Sequence, residues 1–327
     1  MSVSRRVELS VGLRNFARAG EGSGLVEDLV ARTVALDDLG VDRVVVSDHV
    51  VFGSDLSDYG DPSVGGLRGG VQPTGPDGDW LEPLTLAAFL AAGTERIRLS
   101  TGIIVAGLRR PVVLAKTVAT LDRLSRGRID LGVGVGWQRA EYEAAGLEFS
   151  DRGALLDGTL RTCVELWTGE AVELSGASGP VVVQSRPAPF HGSVPIWVSG
   201  SVSGPVVRRT ARFGVGWIPW GRALDEPEAG LRSFRSALAA ELEAAQVEGW
   251  VTPLTAAGDL RAAASIRVPP PDRTTALAST VRSSLQRVPA LVAAGFDDLR
   301  LSVAPSAVPF VETVAEVLAQ LDGVVDR

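Results

Sequence analysis

The chain contains two histidines, and one of them, His49, closes the triplet Ser47-Asp48-His49 at the end of an apolar run. An imidazole titrates near neutral pH, so at the rim of a pocket it suits the gain or loss of a proton as charge moves onto a ring. A histidine that only caps a loop would look the same in sequence. His191, beside Pro189 and Gly192, reads as loop surface. Ser199-Gly200-Ser201, continued by Val202-Ser203-Gly204, joins a strand to a helix. Small residues there expose backbone N–H groups at a helix start, which suits a phosphate or carboxylate, and Arg208 and Arg209 could add charge. A plain turn-rich connection is the alternative. Trp80, Trp137, Trp217 and Trp220 fall in loops or at strand ends, where indoles can sandwich a planar ligand or simply pack.

Several chemistries lack their residues. Gly132-Val-Gly-Val-Gly136 stops one residue short of a GxGxxG fingerprint and lies mid-chain, so its glycines are better read as room for a flat ring to approach a strand end. No P-loop, GxSxG or HExxH motif is present, and two distant histidines with one cysteine, Cys163, make neither a disulfide nor a transition-metal site. The 32 basic residues include a single lysine, Lys116. A net charge of −7 argues against nucleic-acid or anionic-membrane partners. No apolar stretch reaches the roughly 18 residues of a membrane span. Arg5-Arg6 is followed by no signal-like apolar run, so a cytoplasmic protein acting on a small molecule is expected.

The elements that must hold these residues alternate regularly. Strand-like runs at Val7–Leu13, Asp42–Ser47, Arg98–Val105, Arg128–Val133, Ile196–Val198, Val215–Ile218, Ala262–Val268 and Leu299–Val303 are each followed by helix, or by loop and helix. Helical spacing marks Val26–Leu39, Pro83–Ala92, Pro111–Leu124, Asp151–Trp167, Val206–Phe213, Glu226–Glu248, Val281–Ala294 and Phe310–Leu321. The Ala262–Val268 run is the most weakly marked. Repeated βα units require parallel strands and right-handed crossovers, and eight of them in 327 residues predict an α/β fold of the (β/α)8 TIM-barrel type. No linker divides the chain, so one domain over residues 1–327 is expected. A long Gly/Asp-rich loop at 48–82 and a small β insertion at 168–194 interrupt it. A barrel works at the C-terminal ends of its strands, which is where His49, Gly102, Gly136 and Ser199 fall.

One block goes further. Residues 101–128 (TGIIVAGLRRPVVLAKTVATLDRLSRGR) run into IDLGVGVGW, ending at Trp137, then Glu141, Tyr142, Gly146 and Arg152, and Glu165-Leu-Trp-Thr-Gly169. With Trp80-Leu-Glu-Pro-Leu84 and Pro195-Ile-Trp-Val-Ser-Gly200, the chain resembles the bacterial luciferase-like monooxygenase superfamily, in particular its coenzyme F420-dependent oxidoreductase branch. The resemblance covers about residues 7–325. It implies a barrel with a deazaflavin or flavin in its mouth, usually in a homodimer, and a non-prolyl cis peptide at the third strand's end, matching Gly102–Ile103. It places Asp48, Gly102, Ile103, Val105, Val135, Gly136 and Ala140 at the cofactor, with Ser199, Gly200, Ser201 and Val202 at its phosphate. His49 becomes the proton-handling residue, and Trp80, Trp137 and Trp217 shape the substrate pocket. The sugar-phosphate dehydrogenases of that branch have a glutamate where Trp137 stands here, and lysines for the substrate phosphate that have no counterpart, so glucose 6-phosphate is not the expected substrate. The implied reaction is hydride transfer between F420 and a small organic substrate. The alternatives are an FMN-dependent monooxygenase fed by a separate flavin reductase and, from another class, a barrel that binds a flavin or deazaflavin without catalysis.

Overall fold

A computed structural model describes residues 6–247, 253–271, 276–304 and 309–325. Eight strands close into one parallel barrel: β1 Glu8–Gly12, β2 Arg43–Val46, β3 Arg98–Thr101, β4 Ile129–Val133, β5 Ile196–Gly200, β6 Gly216–Pro219, β7 Arg261–Val268 and β8 Asp298–Val303. Closure is made by β1, which pairs with β2 on one side and β8 on the other. Outside lie α1 Leu25–Asp38, α2 Pro83–Ala92, α3 Pro111–Leu124, α4 Arg139–Ala144, α5 Arg152–Trp167, α6 Gly204–Phe213, α7 Pro227–Val247, α8 Leu277–Leu285, α9 Val288–Ala294 and α10 Phe310–Leu321. Prolines open α2 and α3 at a position where a missing N–H costs nothing. Most of the apolar core lies between the outward strand faces and these helices, as in Leu9, Val44, Leu99, Leu131 and Leu299.

Three expectations change in detail. The third strand is not continuous to Val105: its ladder stops at Thr101, the Gly102–Ile103 peptide is cis, and pairing resumes where Ile104 bridges Val133. The helix expected over Val281–Ala294 is two helices, α8 and α9, because Pro289 sits in the first turn of the second and cannot donate to a continuing ladder. The weakly marked seventh strand is the longest of the barrel, eight residues from Arg261 to Val268. Glu248, the expected end of the long helix, lies outside the described residues. The β insertion is an antiparallel hairpin, Val172–Gly176 with Gly179–Val183, and Asp79–Trp80 of the long loop pairs with Phe16–Ala17.

The barrel interior is polar at its lower end and open at its upper end. Arg43 is fully buried, with Nε 2.6 Å from Asp130, Nη2 2.8 Å from Glu8 and Nη1 3.1 Å from Asp298 and 2.9 Å from the Ser10 hydroxyl. Arg98 adds two bonds of 2.8 Å to the Asp130 carboxylate. Burial opposes the charge on Asp130, but Arg43 and Arg98 outweigh it and hold the carboxyl well below the usual carboxylate range. The Trp197 ring lies against Arg43, Arg261 and Arg300, 5.4, 5.0 and 5.2 Å from its centre. These groups fill the lower barrel. Above them, Ser265, Arg267 and Ser302 are solvent-exposed although they share the inward face of β7 and β8 with Arg261 and Asp298. Inward residues of a closed barrel are wetted only where the barrel holds a cavity, so the C-terminal end is an open mouth.

Candidate functional site

The floor of that mouth is the break in β3. Gly102 is exposed and Ile103 half-buried, on a backbone stretch whose neighbours are shaped to receive it. A Cβ on Gly132 would lie 1.9 Å from the Thr101 carbonyl oxygen, and one on Gly134 would lie 3.0 Å from the Ile103 side chain. Gly132 in β4 and Gly134 just after it thus make room for the break in β3 rather than for a ligand directly, a correction to the sequence reading. Gly136, at φ 69°, turns the chain over Val105. Val135 and Gly136 stay partly exposed beside the floor.

Asp48 holds this floor from behind. Its carboxylate accepts from Val105 N–H at 2.8 Å and takes both terminal nitrogens of Arg109, at 2.7 and 2.9 Å. Arg109 is fixed in turn by Glu82 at 2.9 Å. With its side chain buried and both oxygens engaged, Asp48 positions the segment after Gly102–Ile103 and has no free carboxylate for a ligand. That revises its expected role as a cofactor contact.

On the adjoining wall, His49 Nδ1 is 3.3 Å from Glu141 Oε1, which also accepts from Val50 N–H at 2.8 Å. A carboxylate only accepts, so Nδ1 carries the hydrogen and Nε2 is left as the acceptor in the neutral ring. The ring is packed by Phe52, Trp80 and Trp137, with centroids 4.5, 4.7 and 5.7 Å away. Gln138 ties the approaching loop, accepting from Gly53 N–H and donating to the Val51 carbonyl. An oriented, largely enclosed imidazole with one free nitrogen is a proton donor or acceptor in waiting.

The expected site residues divide. His49, Trp80 and Trp137 come together; Trp80 also stacks on Phe16, and Trp137 is only 7 % exposed and edge-on to Tyr59. Ala140 is half-buried at the start of α4, two residues after the Gln138 clamp, and its methyl lies beside Gly53. Ser199, Gly200, Ser201 and Val202 run from the end of β5 into α6 and are partly or fully exposed. Trp217 is not at the mouth. It is fully buried, stacked at 4.2 Å on Phe234 of α7, on the outer side of the barrel. Nor does Arg209 serve the Ser199–Val202 end, because it is buried against Asp157 at 2.6 Å. Glu141, Arg109, Arg267 and Arg300 were assigned no role from sequence. The signal was there for the last two: β8 reads Asp-Leu-Arg-Leu-Ser, polar at every second residue, and β7 reads Arg-Ala-Ala-Ala-Ser-Ile-Arg, polar on the same face except at Ala263.

Other chemistry finds no seat. Burial pushes the Cys163 thiol up to about 12, which excludes a thiolate nucleophile near neutral pH. Among the described residues no three metal-ligating side chains cluster, and no helix is long and apolar enough to cross a membrane.

The closed parallel eight-stranded barrel with helices outside it is the fold of the luciferase-like proteins. The profile of the luciferase-like monooxygenase family matches residues 7–276, and the chain belongs to that family. The chain is 32 % identical over 224 residues to an F420-dependent glucose-6-phosphate dehydrogenase of Gordonia bronchialis, covering 64 % of this chain and 56 % of that one. The match spans about half the length of the curated relatives it aligns with. Among solved structures, monooxygenase RslO1 of Streptomyces bottropensis superposes with a TM-score of 0.66 at 21 % identity, over 97 % of this chain and 98 % of that one. An F420-dependent secondary alcohol dehydrogenase superposes with the same score at 14 % identity, over 99 % and 100 %. At such identities the two structures speak for the fold.

Proposed function

We propose that the protein is an F420-dependent oxidoreductase that moves a hydride between the deazaflavin and the carbinol or carbonyl carbon of a small organic substrate. The observation that carries this reading is the juxtaposition of an exposed, side-chain-free floor at Gly102 with His49, whose Nε2 is free. Gly102 is glycine because a Cβ there would lie 2.3 Å from Val45 Cγ1; its exposed backbone, bordered by the partly exposed Ile103, Val135 and Gly136, is the surface a planar ring would cover. When bound, the deazaflavin supplies the hydride acceptor or donor at C5. The protein does the rest. Asp48 and Arg109 fix the floor, Ser199–Val202 with the α6 N-terminus receives the phosphate, and Trp80 and Trp137 exclude water on the His49 side. His49 exchanges the hydroxyl proton of the substrate, and Glu141 stabilises the ring orientation that does so.

Fluorescence titration tests the assignment. F420 is expected to bind at least tenfold more tightly than FMN, and an F420-linked absorbance change is expected with a secondary alcohol or ketone. Oxygen consumption that depends on reduced FMN would instead establish the second reading, an FMN monooxygenase served by a reductase, to which the description of the matched luciferase-like monooxygenase family points. Binding of either cofactor with no turnover on any alcohol, ketone or oxygen would leave a carrier. We further propose a homodimer through α2 and α3, which adjoin each other and expose Phe89, Val112, Val113 and Leu124. Sedimentation at micromolar concentration is expected to give twice the monomer mass of 34.2 kDa, and a monomer would refute it.

A further inference from the structure

The charged side chains inside the barrel do not balance. Arg43, Arg98 and Arg261 are each paired with Glu8, Asp130, Asp297 or Asp298 at the lower end. Arg300 stands two residues above Asp298 on β8, with its Nε 2.8 Å from that carboxylate, which Arg43 and Ser10 already share. Its Nη2 is buried with no hydrogen-bond partner among the described residues. Its Nη1 lies 3.7 Å from where a Cβ of Gly102 would be, so the guanidinium reaches the floor of the mouth. Arg267 is on the same inward face one strand away, where Arg267 pairs in register with Ser302 and Arg300 with Ser265. It is exposed, and no carboxylate among the described residues pairs with it. An acidic protein thus keeps in one mouth an arginine, Arg267, with no carboxylate partner among the described residues, beside a second, Arg300, that shares Asp298 with Arg43 and has a buried spare N–H. A buried donor left unmade costs free energy, and an anion against the exposed part of the guanidinium would offset part of that cost through its charge.

We propose that Arg300, supported by Arg267, forms an anion-binding subsite at the floor of the mouth, and that its occupant is the pyrimidine edge of the reduced deazaflavin. This rests on the cofactor reading above. Uptake of a hydride adds two electrons and one proton, so the ring gains one unit of negative charge unless a second proton follows. A guanidinium fixed at the floor would stabilise that charge without reorganising, and so would hold the reduced form more tightly than the oxidised one. Burial pulls the Arg300 guanidinium below its ordinary value more than Asp298 restores it, so the anion also relieves an under-compensated cation. Neither arginine handles the substrate proton, which stays with His49.

The test is the affinity of each redox form, read by anaerobic fluorescence titration with oxidised and reduced F420, and in parallel with oxidised and reduced FMN. Arg300→Met is expected to weaken binding of the reduced form by about tenfold or more while changing the oxidised form less than about threefold. By the thermodynamic cycle, each tenfold lowers the bound two-electron potential by about 30 mV. Arg300→Lys is expected to keep most of the preference, since the charge remains. Arg267→Met, at an exposed position outside the lower network, is expected to reduce the preference by about two- to fivefold, more strongly at low salt. Equal weakening of both forms by Arg300→Met would overturn the proposal, and so would an unchanged preference in both Met variants. Wild-type protein that binds no cofactor in either form would instead bring down the cofactor reading itself.

Discussion

Replacing His49 by alanine is expected to lower kcat by about two to four orders of magnitude, with the dissociation constant of F420 changed by less than about threefold. The separation follows from geometry. His49 stands on the wall beside the floor and is held by Glu141 and three aromatic rings, while the floor itself is built by Gly102, Ile103 and the Asp48–Arg109 clamp. Losing the imidazole removes the proton path and leaves the cradle standing. Glu141→Gln is expected to cost about tenfold: an amide oxygen can still accept from Val50, but it holds the imidazole less firmly than a carboxylate. Steady-state rates with a secondary alcohol, measured beside cofactor titrations of the same preparations, check both. A His49→Ala enzyme that turns over at the wild-type rate would show that another group moves the proton.

Asp130→Asn is expected to destabilise the fold by about 3–5 kcal/mol, the usual consequence of removing one partner from a buried charge network. Asp130 is the shared counter-ion of Arg43 and Arg98, and Arg43 is completely enclosed. The amide leaves these two cations facing Glu8 and Asp298 alone. The pH dependence has a definite sign. The folded carboxyl is depressed relative to the unfolded one, so its contribution is complete above the unfolded value near 4. It is lost as the pH falls from there through the folded value. Urea midpoints are therefore expected to differ strongly between wild type and variant at neutral pH. The two should converge as the wild type is acidified below about pH 4. A variant as stable as wild type at pH 7 would mean that the interior network does not hold the barrel.

The alternation of short apolar strands with helices of ten to twenty residues was enough to read the barrel, because repeated βα units leave few ways to bury both faces of a parallel sheet. Strand-end positions then pointed to His49, Gly102, Gly136 and Ser199 before any geometry was known. The seventh strand was faint since Ala262, Ala263 and Ala264 have no β-branching; its neighbours β6 and β8 supply the pairing that its own residues do not signal. The break between α8 and α9 was legible in Pro289 and was passed over because the apolar spacing continues across it.

What no one-dimensional pattern decided is which side chains meet. Asp48 looked like a ligand contact until its oxygens were found engaged by Arg109 and Val105, 61 and 57 residues away in the chain. Trp217 looked like pocket wall, but at its place in β6 the side chain points outward onto Phe234. Glu141 gains its meaning from an oxygen 3.3 Å from His49, across 92 residues. Local propensity and strand-end position depend on neighbours along the chain, so residue types and spacing determined the barrel, and the resemblance carried by residues 101–169 pointed to the family. The orientation of a side chain into or out of the barrel, and the cancellation of its charge, depend on strand register and closure, so only the folded barrel decided which arginines are spent and which remain at the mouth.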